Sequence, residues 1–292
     1  RLRRIALYDC TIEGALKADR STIDSALFLT KSTLKGILRL RGASIGEALA
    51  MDEARIINPN DTAIIADGLR LGGPWVLRAA DIQGEVRLAS ARIGGGMLWE
   101  EASIKNNAVA VAADGVFCEG PFVLRRAKIT GPFRLRGITV KAIDAQQITV
   151  TAGSEAFNAR GAEIGSDLIL DGATISGGVL LGRAHVNGEL SAKGAKLTGR
   201  GQDWALNAAG IVVGQGVSIM GAQIKGGIQL AGARIEQGLQ ASDITIDSTG
   251  RAIEADVMHV GGNWTMRGAK IAGNLRFAGA QIDGQIGFTE CE

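Results

Sequence analysis

The stretch GGGMLWEEASIKNNAVAVAADGVFCEG (Gly94 to Gly120) alternates apolar and polar residues, loses step after Ile104, and recovers at Cys118. Its meaning emerges when the chain is aligned on the apolar residue that follows Ala-x. That residue recurs at Ile12, Ile23, Leu34, Ile45 and Ile56, then at Leu71, Ile82, Ile93 and Ile104, and so on to Val260, Ile271 and Ile282. The spacing is 11 along most of the chain, and Cys118 is the one anchor among 24 that is not Ile, Leu or Val. Within a unit, four positions are apolar: seven, five, two and zero residues before the anchor, as in Leu38, Leu40, Ala43 and Ile45. Two pairs at spacing two describe two short strands whose alternate side chains point inward. Glycine recurs three before the anchor (Gly42, Gly172, Gly221, Gly268) and two after it (Gly84, Gly131, Gly226, Gly273), where a chain turning a corner needs it. An 11-residue period also fits a right-handed coiled coil. Glycine at this density would cost a helix about 1 kcal/mol per residue, and residues two apart lie on different helical faces, so strands are the consistent reading.

The slip after Ile104 belongs to a schedule. Anchor intervals lengthen to 14–16 residues at INPNDTA (57–63), KNNAVA (105–110), TAGSEA (151–156), TGRGQDWA (198–205) and DSTGRA (247–252), with four units from each to the next. These are loop compositions. If two units close one coil of about 22 residues, all five inserts fall at one corner and stack every second coil; three units per coil would scatter them. A second pattern agrees. Five before the anchor, alternate units read Ala18, Leu40, Ala66, Leu88, Ala113, Leu135, and onward to Ala255 and Phe277. Small and large residues in one internal column fill a narrow bore. The expected fold is all-β: a right-handed parallel β-helix, a quadrilateral solenoid of about 22 residues per coil and about 12 coils, forming a single domain over residues 1–292.

GAKL, GAQI, GARI and GATI resemble the A(D/N)LXX half of the pentapeptide-repeat family. That resemblance spans essentially the whole chain and implies a right-handed quadrilateral β-helix. This chain departs from the family pattern by its 11-residue unit and its periodic inserts. Some members mimic DNA through a strongly acidic surface, whereas 32 basic and 30 acidic side chains here leave a net charge of +2. The repeat is also similar to bacterial proteins provisionally labelled membrane-associated oxidoreductases.

Composition narrows the function. Forty-two glycines with 46% hydrophobic residues and 4% aromatics exclude a disordered chain. Near-neutral charge argues against a nucleic-acid partner, and no apolar run is long enough for a membrane span; peripheral membrane contact stays open. GGGMLW and GQGVSI do not complete a dinucleotide-binding glycine motif. Cys10, Cys118 and Cys291 fall at inward positions and read as small core residues, and unpaired cysteines suit a reducing, cytoplasmic compartment. His185 and His259 point outward about three coils apart, too far to share a metal. Asp67 and Asp114 sit beside the insert corner, two coils apart, within the separation used by inverting glycosidases; the simpler reading is Asp before a glycine turn. No cofactor or metal site is expected.

The outer surface is more informative. Six before the anchor, alternate units give Phe28, Val76, Leu98, Val123 and Ile169, a partial apolar stripe on one face. The other units give Lys17, Arg39, Arg87, Arg134 and Arg276, a basic ladder with acids nearby. Trp75, Trp99 and Trp264 fall inward, while Trp204 falls in an insert and is a candidate contact residue. Arg1 enters a repeat at once and GQIGFTECE stops inside one, so the chain reads either as a piece of a longer repeat protein or as one whose ends stack on another copy. The sequence therefore points to a non-catalytic scaffold or protein-binding rod. A self-assembling filament subunit and a carbohydrate-active enzyme are the alternatives. The candidate interface is Phe28, Val76, Leu98, Val123, Ile169 and Trp204, taken by a protein partner or a second copy.

Overall fold

The computed structural model describes residues 2–200 and 204–292, and among these every helix or strand assigned is a β-strand. Residues 201–203 of the fourth insert lie outside the described residues. The chain forms two compact units, Arg1–Asp144 and Ala145–Glu292. Each is a parallel β-solenoid with about 22 residues and four strand segments per coil, as two 11-residue units per coil require.

In unit 1 the plan is Ile5–Ala6 on face one, Thr11–Glu13 on face two, Leu16–Lys17 on face three and Thr22–Ile23 on face four. Leu27–Phe28 then returns to face one, directly over the first strand, with Ile5 opposite Leu27 and Ala6 opposite Phe28. Thr11 lies opposite Thr33, Leu16 opposite Leu38 and Thr22 opposite Ser44. Unit 2 repeats the plan: Leu168–Ile169, Thr174–Ser176, Val179–Leu180 and His185–Val186 occupy the four faces, and Leu190–Ser191 returns to the first. Leu168 faces Leu190 and Ile175 faces Leu197.

The inward positions build the core. Ala18, Leu40, Ala66, Leu88, Ala113 and Leu135 in unit 1 are all buried, as are Ala159, Leu181, Ala208, Leu230 and Ala255 in unit 2. Unit 1 adds an edge-to-face aromatic chain, Trp75–Trp99–Phe122–Phe133, with ring centroids 5.5, 5.0 and 6.0 Å apart. Such pairs add stabilisation beyond the area they bury.

One turn recurs in every 11-residue unit. In most units the carbonyl five before the anchor accepts from the amide two before it, as in Leu40 from Ala43 and Ala66 from Leu69, both 3.0 Å. The third residue of the turn has positive φ: +61° at Gly42, +57° at Lys31, +59° at Glu101. Roughly half of these residues are not glycine, so the fold imposes the left-handed conformation whatever the side chain.

The described residues of all five inserts lie between faces two and three, which settles the two-unit coil. The insert before Val111 separates Ser103–Lys105 on face two from Val111–Ala112 on face three. Two inserts differ from the loops their composition suggests. Arg55–Ile65 and Thr245–Glu254 are continuous strands. Their neighbours Asp81–Arg87 and Lys270–Arg276 run through the same corner and supply backbone partners, so the extra residues are absorbed as register shifts. Within unit 1 the stacked inserts touch: the Asn106 side-chain amide donates to the Asp61 carbonyl at 3.1 Å. Gly131 lies beneath that insert, and a Cβ there would come within 1.8 Å of the Asn106 carbonyl.

Val257 is the residue least suited to its turn. It is β-branched, 72% exposed, and held at φ +55°. Val257→Gly relieves the left-handed strain with no packing lost, and is expected to stabilise the protein by about 1 kcal/mol net of the greater unfolded-state entropy of glycine. A urea titration checks this; a midpoint unchanged or lowered would show that the turn carries no strain.

Candidate functional site

The acids beside the insert corner are engaged between coils. Asp19, Asp67, Asp114 and Asp256 stand at the turn after face three, and each pairs with the arginine twenty residues on, in the next coil. The distances are 2.6 Å to Arg39, 2.7 Å to Arg87, 2.8 Å to Arg134 and 2.8 Å to Arg276. The second carboxylate oxygen accepts from a backbone amide of that coil: Arg41 at 3.1 Å, Ala89 at 3.1 Å, Arg136 at 3.1 Å and Ala278 at 2.9 Å. The four arginines of the face-three basic ladder are thus each neutralised from the preceding coil. Asp67 and Asp114 each have both oxygens committed to this staple. At Asp114, burial pushes the carboxyl up, but hydrogen bonds from Arg136 and the charge of Arg134 outweigh it, and the group titrates below the usual carboxylate range.

Cys118 is buried, donates to the Gly95 carbonyl at 3.2 Å, and has its thiol pushed up to about 11 by burial, which keeps it protonated and inert. Cys10 is half-buried. Cys291 is exposed despite its inward position in the repeat, because the coil at residues 271–292 carries open surface on nearly every residue. His185 and His259 lie three strands apart on face four of unit 2, reached through Val212 and Arg234. His259 approaches Asp283 at 3.2 Å and His185 approaches Glu163 at 3.8 Å. Among the described residues no three acidic, His or Cys side chains converge as metal ligands, and no helix is long and apolar enough to cross a membrane.

Four of the six candidate interface residues share one column. On face one of unit 1, Ala6, Phe28, Ala50, Val76, Leu98 and Val123 stand in register, outward, one per coil, and Asp144 ends the run. Phe28, Leu98 and Val123 are partly exposed, and Val76 is 8% exposed between its neighbours. Tyr8 lies against Phe28 with centroids 5.8 Å apart, and the Arg4 guanidinium sits 4.6 Å from the same ring. Ion pairs flank the column: Arg78–Glu100 at 3.0 Å, Arg126–Glu101 at 2.6 Å and Arg125–Asp144 at 2.5 Å. Ile169 occupies the equivalent place on face one of unit 2, where the column continues as Ser191, Ser218, Gln240 and Thr265.

Trp204 opens the strand Trp204–Asn207 on face three of unit 2. Its ring folds back over the corner and fills the space a Gly227 side chain would need, within 2.6 Å of a Cβ built there. One edge of the ring borders a hollow shared with Ser154, Glu155 and Arg160; the other borders one shared with Asp247 and Arg251. It is half-buried.

Sequence reasoning passed over face four of unit 1. There a groove of about 1060 Å³ runs along five coils past Thr22, Ser44, Arg70, Arg92 and Phe117. Arg70 and Arg92 lie in adjacent coils and in register. The signal was present, since each stands one before an anchor, but that position is polar almost throughout and drew no notice.

No protein-family model matches the chain, and no curated protein matches it in sequence. The fold defines the class: a parallel β-solenoid built of 11-residue half-coils, with in-register columns on its outer faces.

Two measurements check these assignments. Asp114 is lowered in the folded state, so its stabilisation is present above the ordinary carboxylate range and is lost as pH falls through the lowered pKa. Asp114→Asn is therefore expected to cost about 1 kcal/mol at neutral pH, with the difference from wild type vanishing on acidification; a pH-independent difference would contradict the staple. Trp75, Trp99 and Trp264 are 0–1% exposed, so Trp204→Phe should remove the acrylamide-quenchable part of the tryptophan emission and leave the rest unquenched.

Proposed function

We propose that the chain is a non-catalytic repeat scaffold that docks a protein partner along face one of unit 1. The observation that carries this reading is the unbroken apolar column from Ala6 to Val123, bordered by ion pairs and stopped by Asp144. An apolar centre inside a polar rim is the anatomy of a protein interface. A solenoid core is satisfied by its inward residues, so an outward apolar column serves no need of the fold. The commitment of Asp67 and Asp114 to inter-coil pairs supports a structural role for the carboxylates that would otherwise suggest glycoside cleavage. The column is narrow, and its middle members Ala50 and Val76 are each only 8% exposed. The expected complex is correspondingly small and transient.

The test is Leu98→Asp combined with Val123→Asp. Both side chains point outward, so circular dichroism and the melting temperature should hold. Crosslinking of a partner recovered with the wild-type protein should be lost in the double variant. Sedimentation of the purified protein alone shows whether that partner is a second copy. Recovery of the same partner by the double variant would exclude this column as the working surface.

A further inference from the structure

The strand arginines of unit 1 divide into two kinds. Arg39, Arg55, Arg87 and Arg134 each face an aspartate, at 2.6, 3.7, 2.7 and 2.8 Å. Arg70 and Arg92, on face four, have no acidic partner among the described residues, although they stand directly opposite one another in a parallel ladder about 4.8 Å apart. Like charges placed opposite each other destabilise a sheet. The fold neutralises the other four strand arginines of this unit; here it leaves two uncompensated and exposed.

Their surroundings form an elongated site. The next residue in the column is Phe117, opposite Arg92 and 45% exposed. Beside the column, the turn out of face four carries Gly46, Gly72 and Gly94, whose Cβ atoms would collide with the coil below at 2.1, 2.1 and 2.7 Å. No side chains rise there, and the result is the groove of about 1060 Å³. It spans five coils, about 19 Å at the parallel strand spacing, with Asp24 at one end and Glu119 at the other. Unit 1 as a whole is basic, with 21 Lys and Arg against 16 Asp and Glu in residues 1–144.

We propose that this groove binds an acidic oligosaccharide, with a carboxylate-bearing sugar on Arg70 and Arg92 and a sugar face on Phe117. Guanidinium groups take carboxylates in paired, charge-assisted hydrogen bonds. Thr22, Ser44 and Glu119 supply donors and acceptors for hydroxyls of the neighbouring neutral sugars. An acidic peptide strand fits poorly. Peptides add to a sheet through free backbone edges and side-chain pockets, and the amides here are spent between coils: Gly46 on Ile23, Gly72 on Ile45 and Gly94 on Leu71, at 2.9, 2.9 and 2.7 Å. A nucleic-acid strand, charged at every residue, would meet repulsion at the Glu119 end. A polymer that alternates acidic and neutral sugars places charge in the middle and hydroxyls at the ends.

The experiment titrates the whole protein with labelled hyaluronan hexasaccharide, and in parallel with maltohexaose, a ten-residue oligothymidylate and a poly-glutamate peptide. Hyaluronan should bind, more weakly as sodium chloride is raised, and the neutral glycan should not. Arg70→Gln and Arg92→Gln should each weaken binding about tenfold or more, with melting temperatures equal to or above wild type because their mutual repulsion is relieved, and Phe117→Ala should weaken it several-fold. Because neither arginine is paired, the substitutions remove charge without removing a structural contact. Equal or tighter binding of the oligonucleotide or the peptide, binding unaffected by the arginine substitutions, or no binding of hyaluronan would each overturn the proposal. The face-one variant Leu98→Asp, Val123→Asp should bind hyaluronan as wild type does, so the two surfaces fail independently.

Discussion

A single backbone constraint underlies every column in this molecule: each 11-residue unit must pass one residue through the left-handed region, three before the anchor. That turn lets the chain change direction while its amides and carbonyls stay perpendicular to the coil, available to the coil above and the coil below. Leu40 accepts from Ala43 within the turn, and the flanking strands hydrogen-bond to residues a full coil away. Among the described residues the result is a ladder with no internal helix and no antiparallel return. Asp9, Arg20, Lys31 and Glu53 accept the same conformation as Gly42 and Gly68. Side chains at the turn are tolerated at some cost because the ladder over-determines the backbone.

Once this constraint holds, a residue's neighbours are set by arithmetic, and much of the molecule is legible in the chain. The Ala18–Leu40–Ala66–Leu88 alternation describes one buried column, and the common corner of the inserts follows from their four-unit schedule. Both are consequences of period and side-chain volume, which sequence records directly. What period does not record is pairing across coils. That Asp67 and Asp114 turn toward Arg87 and Arg134 depends on side-chain reach at a corner, and the same residue types at the same spacing equally suggest a pair of catalytic carboxylates. That 55–65 and 245–254 run as strands depends on a partner strand extending through the corner, which loop-like composition in INPNDTA and DSTGRA conceals.

The same logic separates structural charge from available charge. An outward arginine is costly in a stacked ladder, and the usual remedy here is an aspartate at the preceding turn, which also satisfies a backbone amide of the next coil. Arg39, Arg87, Arg134 and Arg276 follow that rule. Arg70 and Arg92 cannot, because the turn on that side of the coil carries glycine where an acid would have to stand. The residues Gly46, Gly72 and Gly94 therefore do two things at once. They let successive coils approach closely, and they withhold the counter-charge that would silence the arginines.

This decoupling explains how one backbone presents unlike surfaces on adjacent faces. Inward positions carry the hydrophobic stabilisation and tolerate little change, since each side chain is packed against the coils on either side. Outward positions contribute little to that core, so the composition of each column is set by something other than folding. On face one of unit 1 the column is apolar from Ala6 to Val123; on the equivalent face of unit 2 it runs through serine, glutamine and threonine with the same backbone register. A ladder that holds with either set of side chains does not require the apolar set. The apolar column and the uncompensated arginine pair are thus departures that the fold permits without needing, and departures of that kind are where a ligand has to be sought.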